Sequence, residues 1–227
     1  MSLDSGTLKQ TIVDTPDAPS SFELIEKKSE FIGQAAHCNN EAEAMVFVES
    51  VRQNHPKARH VAFAAIFEAP HGGVGERMSD DGEPSGTAGK PILDALTKSG
   101  MSGVVVTVTR YFGGVLLGSA GLIRAYSTAA SGALKAARRA RVIPHTRCEL
   151  TVSYPQLGTL DHVLESLSGR VEQRDYSDVV HSVVVIRTSE LERFFDRVRE
   201  AFQGSVTVEA VGDIDIAVEV SPAGTLE

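Results

Sequence analysis

The chain has 227 residues, 42% of them apolar and 23% charged, with a net charge of −8 and two cysteines. That length suits one large domain or two modest ones, and the composition is that of a globular chain rather than a disordered one. No apolar run approaches the ~20 residues of a bilayer span, Met1–Gln10 lacks the apolar core of a signal peptide, and Cys38 and Cys148 are too few for a disulfide framework or a four-cysteine zinc site. A reducing cytoplasm is therefore the expected location, with no membrane partner.

The acidic excess lies at one end. Residues 1–146 carry 15 basic and 15 acidic side chains, whereas residues 147–227 carry 7 arginines, no lysine and 15 acids. No acid lies between Asp94 and Glu149, a window that holds Lys98, Arg110, Arg124, Lys135, Arg138, Arg139, Arg141 and Arg147. A balanced part followed by an acidic one is expected of two units with different surfaces, although some of these arginines would equally serve to solvate a helix end.

In chain order, residues 1–20 are polar, with Pro16 and Pro19, and read as a flexible arm. Phe22–Lys27 and Glu30–His37 alternate as two strands of a hairpin. Glu41–Gln53 has the helical spacing Ala44, Phe47, Val48, Val51, with Asn40 as its N-cap. His60–Glu68 is apolar on both faces and reads as a central strand. A long glycine-rich loop is expected from Pro70 to Gly89, then a helix opened by Lys90-Pro91 and running to Gly100. Val104–Thr109 is a strand that ends in Arg110-Tyr111-Phe112-Gly113-Gly114. A helix follows from about Ser119 to Ala140, and Pro144 is expected to break the chain. Beyond it, Cys148–Tyr154, a helix from Pro155, a hairpin of Arg170–Tyr176 and Val179–Arg187, a helix capped by Ser189 and a closing strand over Val206–Val220 give β-α-β-β-α-β, the ferredoxin-like order. The expected division is an arm over 1–20, a first domain over 21–143 and a second over 147–221.

Two segments offer chemistry. The first, Ser79 to Pro91, superficially has the look of a phosphate loop, but Pro84 and Pro91 stand where such a loop needs Gly and Ser or Thr. It still feeds a helix N-terminus, whose free N–H groups favour an anion; equally, it reads as a turn-rich connection whose acids cap backbone groups. Asp80, Asp81 and Glu83 alone do not make a magnesium site, so no metal is expected. The second segment, Thr109 to Tyr126, brings Arg110 beside Tyr111 and Phe112 into a glycine turn. The arginine offers phosphate donors, the rings offer stacking faces, and Gly113, Gly114, Gly118 and Gly121 permit close approach. The other reading makes Phe112 core and the glycines packing residues. The candidate ligand or anion residues are Asp80, Asp81, Gly82, Glu83, Ser85, Gly86, Thr87, Gly89, Lys90, Arg110, Tyr111, Gly113, Gly114, Arg124 and Tyr126. The two loops are expected to face one groove. The histidines lack metal spacing, there is no nucleophile elbow, Ser119 reads as a helix cap and Cys38 as a buried small residue. No catalytic residue and no cofactor is expected.

Asp80 to Pro91, Val108 to Gly114 and Leu117-Gly118 through Tyr126, with Lys28-Ser29-Glu30-Phe31-Ile32 and His55-Pro56-Lys57-Ala58-Arg59-His60 in support, resemble the YigZ/IMPACT family over residues 22–138. The pattern departs at His60-Val61-Ala62-Phe63-Ala64, where the family usually has a cysteine and a tyrosine after the histidine. The resemblance implies an α+β, two-domain chain: a first domain with the α/β fold of a ribosomal protein's second domain, and a ferredoxin-like second domain similar to the last domain of elongation factor G. It also implies regulation of translation under stress in eukaryotic members, nucleic-acid binding in bacterial ones, and no agreed catalytic set. The function expected is that of a translation regulator that binds RNA, the ribosome or a translation-regulatory protein through its first domain. The alternatives are an enzyme or binder of a nucleotide or other small phosphorylated ligand at the glycine-rich loops, and a protein–protein adaptor that uses the β edges. The charge of −8 and the acid-rich second part argue against general nucleic-acid binding.

Overall fold

Val104–Tyr111 is β-branched at nearly every position and buried along almost its whole length, as a central strand must be. The computed structural model describes residues 9–70 and 73–220. The chain is α+β and divides into two compact units, residues 1–141 with 217–227, and residues 142–216.

In the first unit, β2 (Ser20–Glu26), β3 (Ser29–His37), β4 (His60–Glu68), β5 (Val74–Ser79) and β6 (Val104–Tyr111) form an antiparallel sheet in the order β2-β3-β6-β4-β5. Successive side chains of a strand point to opposite faces. Val104, Val106 and Val108 thus join the core under α2 (Gly89–Ser99) and α3 (Ser119–Ala136), while Val105 joins Phe47, Val48 and Val51 of α1 (Glu41–Asn54) on the other face. Asn40 caps α1, its side chain accepting from the Glu43 N–H at 3.0 Å.

The helix α3 buries Ala125, Ala129, Ala130 and Ala133, and these small side chains let it lie close to the sheet. The closest approach is at Gly33 of β3, where a Cβ would collide with the Ala129 carbonyl.

In the second unit, β7 (Arg139–Val152), which runs into it from the first, is followed by α4 (Leu157–Ser166), β8 (Arg170–Tyr176), β9 (Val180–Arg187), α5 (Leu191–Ala201) and β10 (Val208–Glu219). β7 pairs β9, β9 pairs β8, and β10 pairs β7. This is the β-α-β-β-α-β order and its ferredoxin-like sheet. Cys148, Leu150, Val152, Val180, Val184 and Ile186 pack against Leu160, Leu164, Phe194, Val198 and Phe202 of the two helical stretches.

Several local expectations need correction. The Pro70–Gly89 loop contains β5, an edge strand paired with β4 from Phe63↔Ser79 to Glu68↔Val74. Arg110 and Tyr111 still belong to β6 rather than to the turn after it. The helix expected to reach Ala140 ends at Ala136, and the chain expected to break at Pro144 is continuous strand there. Residues 10–12 of the expected flexible arm form β1 (Gln10–Ile12), paired with Arg139–Arg141, and Ile12 is fully buried. His71 falls outside the described residues.

Gly33→Ala should destabilise the protein by about 1–3 kcal/mol in urea unfolding, because α3 must move to admit the methyl group. Gly158→Ala, in a helix with open space around the added Cβ, should be neutral or stabilising by up to about 1 kcal/mol. Equal effects at the two sites would contradict the packing described.

Candidate functional site

Arg110 is where the two motif segments meet. As an even-numbered residue of β6 it points toward α3, into the face that also holds Phe31 and Tyr126. Its side chain is 7% exposed, and its Nη1 donates to Glu83 Oε1 at 2.6 Å. The Tyr126 hydroxyl donates to the same oxygen at 2.9 Å. Two rings flank the guanidinium, Phe31 and Phe112, each centroid 5.4 Å from Cζ, at a distance where ring and cation attract. The Arg110 Nη2 reaches Ser29 Oγ at 3.5 Å, and that hydroxyl accepts from the Gly113 N–H at 3.2 Å. One ion pair therefore ties the 80–89 loop to β6, α3 and the β2–β3 hairpin. Burial, and then the adjacent Glu83 carboxylate, push the Tyr126 phenol far up, so it remains a donor.

The acids of the first loop are engaged with backbone. Asp80 accepts from the N–H groups of Gly86 at 2.8 Å, Ala88 at 2.9 Å and Gly89 at 2.8 Å. The anion expected at the start of α2 is in this way supplied by the chain itself. Burial raises the Asp80 carboxyl, but the three backbone donors outweigh it and hold the group below the usual aspartate range. Asp81, with φ of 47°, accepts from the Val61 N–H at 2.7 Å and from Arg52 at 2.5 Å, while its carbonyl accepts from His60 Nδ1 at 2.6 Å. Thr87 Oγ1 donates to the Pro84 carbonyl at 2.6 Å, and Ser85 and Gly86 are exposed. Gly82 lies beside the His60 ring.

The remaining candidates are placed apart from Arg110. Lys90 is exposed and pairs with Asp94 one turn along its helix at 2.8 Å. Tyr111 points to the opposite face of the sheet, where its hydroxyl shares a hydrogen bond of 2.8 Å with His55 Nδ1. Gly113 packs against Lys28 so closely that a Cβ would meet the Lys28 backbone. Gly114 is exposed, and Gly118, rather than Ser119, is the N-cap of α3. Arg124 lines a cleft of about 390 Å³ with Leu24, Lys27, Leu117 and Ala125. Phe112, Val115 and Leu116 are exposed, Leu116 at 82%.

Reading the sequence alone passed over Ser29, Phe31, His55 and Arg52 as site residues. The first three lie in the Lys28–Ile32 and His55–His60 stretches that supported the family resemblance; nothing local marked Arg52. Burial, with the nearby Glu43 carboxylate adding to it, pushes the Cys38 thiol up to about 12, and burial pushes the Cys148 thiol to about 11, so both favour the neutral thiol. Among the described residues no His, Cys, Asp and Glu cluster is arranged to hold a metal ion, and no helix is long and apolar enough to cross a membrane.

Residues 27–134 match the Impact N-terminal domain, and residues 150–205 match a domain of unknown function (DUF1949). The chain is 37% identical over 196 residues to the IMPACT family member YigZ of Escherichia coli (strain K12), covering 86% of this chain and 96% of that protein. The chain belongs to the IMPACT family. A second relative, the IMPACT family member YvyE of Bacillus subtilis (strain 168), is 33% identical, covering 80% of this chain and 83% of its own length. A solved structure described as that of a hypothetical protein is 35% identical, with a TM-score of 0.61, covering 90% of this chain and 98% of that one.

Removing either member of a buried ion pair leaves the other charge uncompensated. Glu83→Leu and Arg110→Met should each cost about 3–5 kcal/mol in urea unfolding. The double variant should cost less than the sum of the two by at least about 1 kcal/mol. Additive losses would show that the two side chains act independently.

Proposed function

We propose that this IMPACT-family chain regulates translation by docking a translation-linked partner on its first unit, at the surface formed by the 112–118 loop and the tip of the β2–β3 hairpin. Family membership supports the role in translation. The observation that carries the choice of surface is the combination of a withdrawn Arg110 with an outward Phe112, Val115 and Leu116. The most promising phosphate donor is spent on Glu83, while three large apolar side chains stand in water, an arrangement typical of an interaction site.

A second reading is single-stranded RNA. Its specific support is the exposed Phe112 ring, backed on one side by the Arg110 guanidinium and available for base stacking on the other. Lys27, Lys28 and Arg124 are the nearby cations, so few phosphates would be neutralised and the salt dependence would be shallow. The small phosphorylated ligand is less well supported, because Asp80 takes the N–H groups at the start of α2 that such a ligand would need.

The test is a cell-free translation reaction supplemented with the full chain. Wild type should repress reporter synthesis in a dose-dependent way. Leu116→Ser, which removes an exposed side chain and should melt like wild type, should need about tenfold more protein for the same repression. An inert wild type, or a Leu116→Ser variant as potent as wild type, would overturn the proposal.

A further inference from the structure

The β2–β3 hairpin turns through Lys27 and Lys28, and both have positive φ, 46° and 66°. A two-residue turn of this kind favours Asn-Gly, because left-handed backbone brings a Cβ close to the following carbonyl oxygen, a contact that Gly lacks and that Asn offsets by local hydrogen bonding. Two lysines in succession therefore hold a conformation that suits neither. Strain of this sort persists where the surroundings over-determine it and gathers at functional sites. Here Gly113 packs directly on the Lys28 backbone, and Ser29 Oγ accepts from the Gly113 N–H, so the turn and the 112–118 loop are fixed to one another.

Beside this tip lies the cleft of about 390 Å³. Leu24, Leu117, Gly121 and Ala125 give it an apolar lining, and Lys27, Arg124 and Glu26 contribute its charged groups. Among the described residues Lys27, Lys28 and Arg124 enter no ion pair, in contrast to Lys90, Arg110 and Arg138. The loop and α3 bring no acid of their own, since none lies between Asp94 and Glu149. The surface thus combines an apolar recess lined by two uncommitted cations, Lys27 and Arg124, and one carboxylate, Glu26, with Lys28 next along the turn and the exposed Val115 and Leu116 immediately before Leu117 in the chain.

We infer that the partner docked here is an acidic protein segment that seats one large apolar side chain in the Leu24–Leu117–Ala125 cleft and sets its carboxylates against Lys27, Lys28 and Arg124. This rests on the docking surface proposed above and specifies its ligand. The charges account for an acidic partner. The aliphatic recess and Leu116 account for a protein rather than RNA, which would use rings and phosphate contacts and leave the aliphatic groups unburied. The strained turn is then explained as well, because Asn-Gly would relax the backbone and discard two of the three cations.

The probe is a displayed library of random dodecapeptides, panned on the immobilised full chain, with the enriched peptides synthesised and titrated by fluorescence anisotropy. The variant pair is Lys27→Asn/Lys28→Gly, which suits the turn, and Leu116→Ser. The enriched peptides should combine Asp or Glu with Leu or Phe and bind both variants about tenfold or more weakly than wild type. Lys27→Asn/Lys28→Gly should also melt at a higher temperature than wild type, so its lost binding cannot be lost folding. A dodecauridine oligonucleotide should fail to displace the peptides. The inference is overturned by enrichment without acidic residues, by equal binding to wild type and variants, or by displacement with the oligonucleotide, which would favour RNA. The translation reaction separates the two levels. If Leu116→Ser abolishes repression while no acidic peptide is enriched, the surface stands and its proposed ligand falls. If Leu116→Ser represses normally, the surface itself falls.

Discussion

A carboxylate and a guanidinium held 2.6 Å apart and almost fully out of water impose conditions on everything around them. Each charge is costly to bury, and the cost is offset by the hydrogen bonds and rings that surround it. In this chain the Tyr126 hydroxyl is a second donor to Glu83 Oε1, and the rings of Phe31 and Phe112 lie 5.4 Å from the Arg110 Cζ, while the buried Arg110 Nε has no partner among the described residues. The pair and these partners come from four places in the sequence. Satisfying one ion pair thus fixes the 80–89 loop, the end of β6, the middle of α3 and the start of β3 relative to one another. The loop has its own internal clamp in Asp80, so it arrives at Glu83 already shaped.

This arrangement decides what is left for function. An arginine that ends a strand beside a glycine loop is an obvious phosphate donor when read alone. Folded, it is part of the scaffold, and its ring neighbour Phe112 becomes its outer cover. The 112–118 loop is carried on that scaffold; Leu117 packs against the first core, whereas Phe112, Val115 and Leu116 are exposed. Rigid support beneath and exposed hydrophobic groups above is the arrangement expected of a binding loop.

The sequence revealed the periodic elements well and the context-dependent ones poorly. Ala44, Phe47, Val48 and Val51 marked α1, and the valine run marked β6, because each pattern repeats over several residues. The strand β5 was hidden because its residues, Val74 to Ser79, are mostly exposed and carry Glu76 and Arg77; only the ladder to β4 makes it a strand. Pro144 misled for a related reason. The pairs with β1 end at Arg141 and those with β9 begin at His145, so proline falls in the gap between these two of the three ladders that β7 makes. At the site, Asp80, Glu83, Arg110 and Tyr126 were recognisable as residues with chemical potential. That Glu83 would meet Arg110, 27 positions away, and Tyr126, 43 positions away, depends on tertiary placement that no local spacing reports.

The central claim is that the Glu83–Arg110 pair makes the two loops one cooperative unit, and native-state hydrogen exchange of the full chain tests it most directly. With Arg110 replaced by Met, the amides of Gly86, Ala88 and Gly89 in the first loop and that of Gly113 in the second should lose protection together and by a common factor. Wild-type protection at Gly86, Ala88 and Gly89 with opening confined to Gly113 would contradict it.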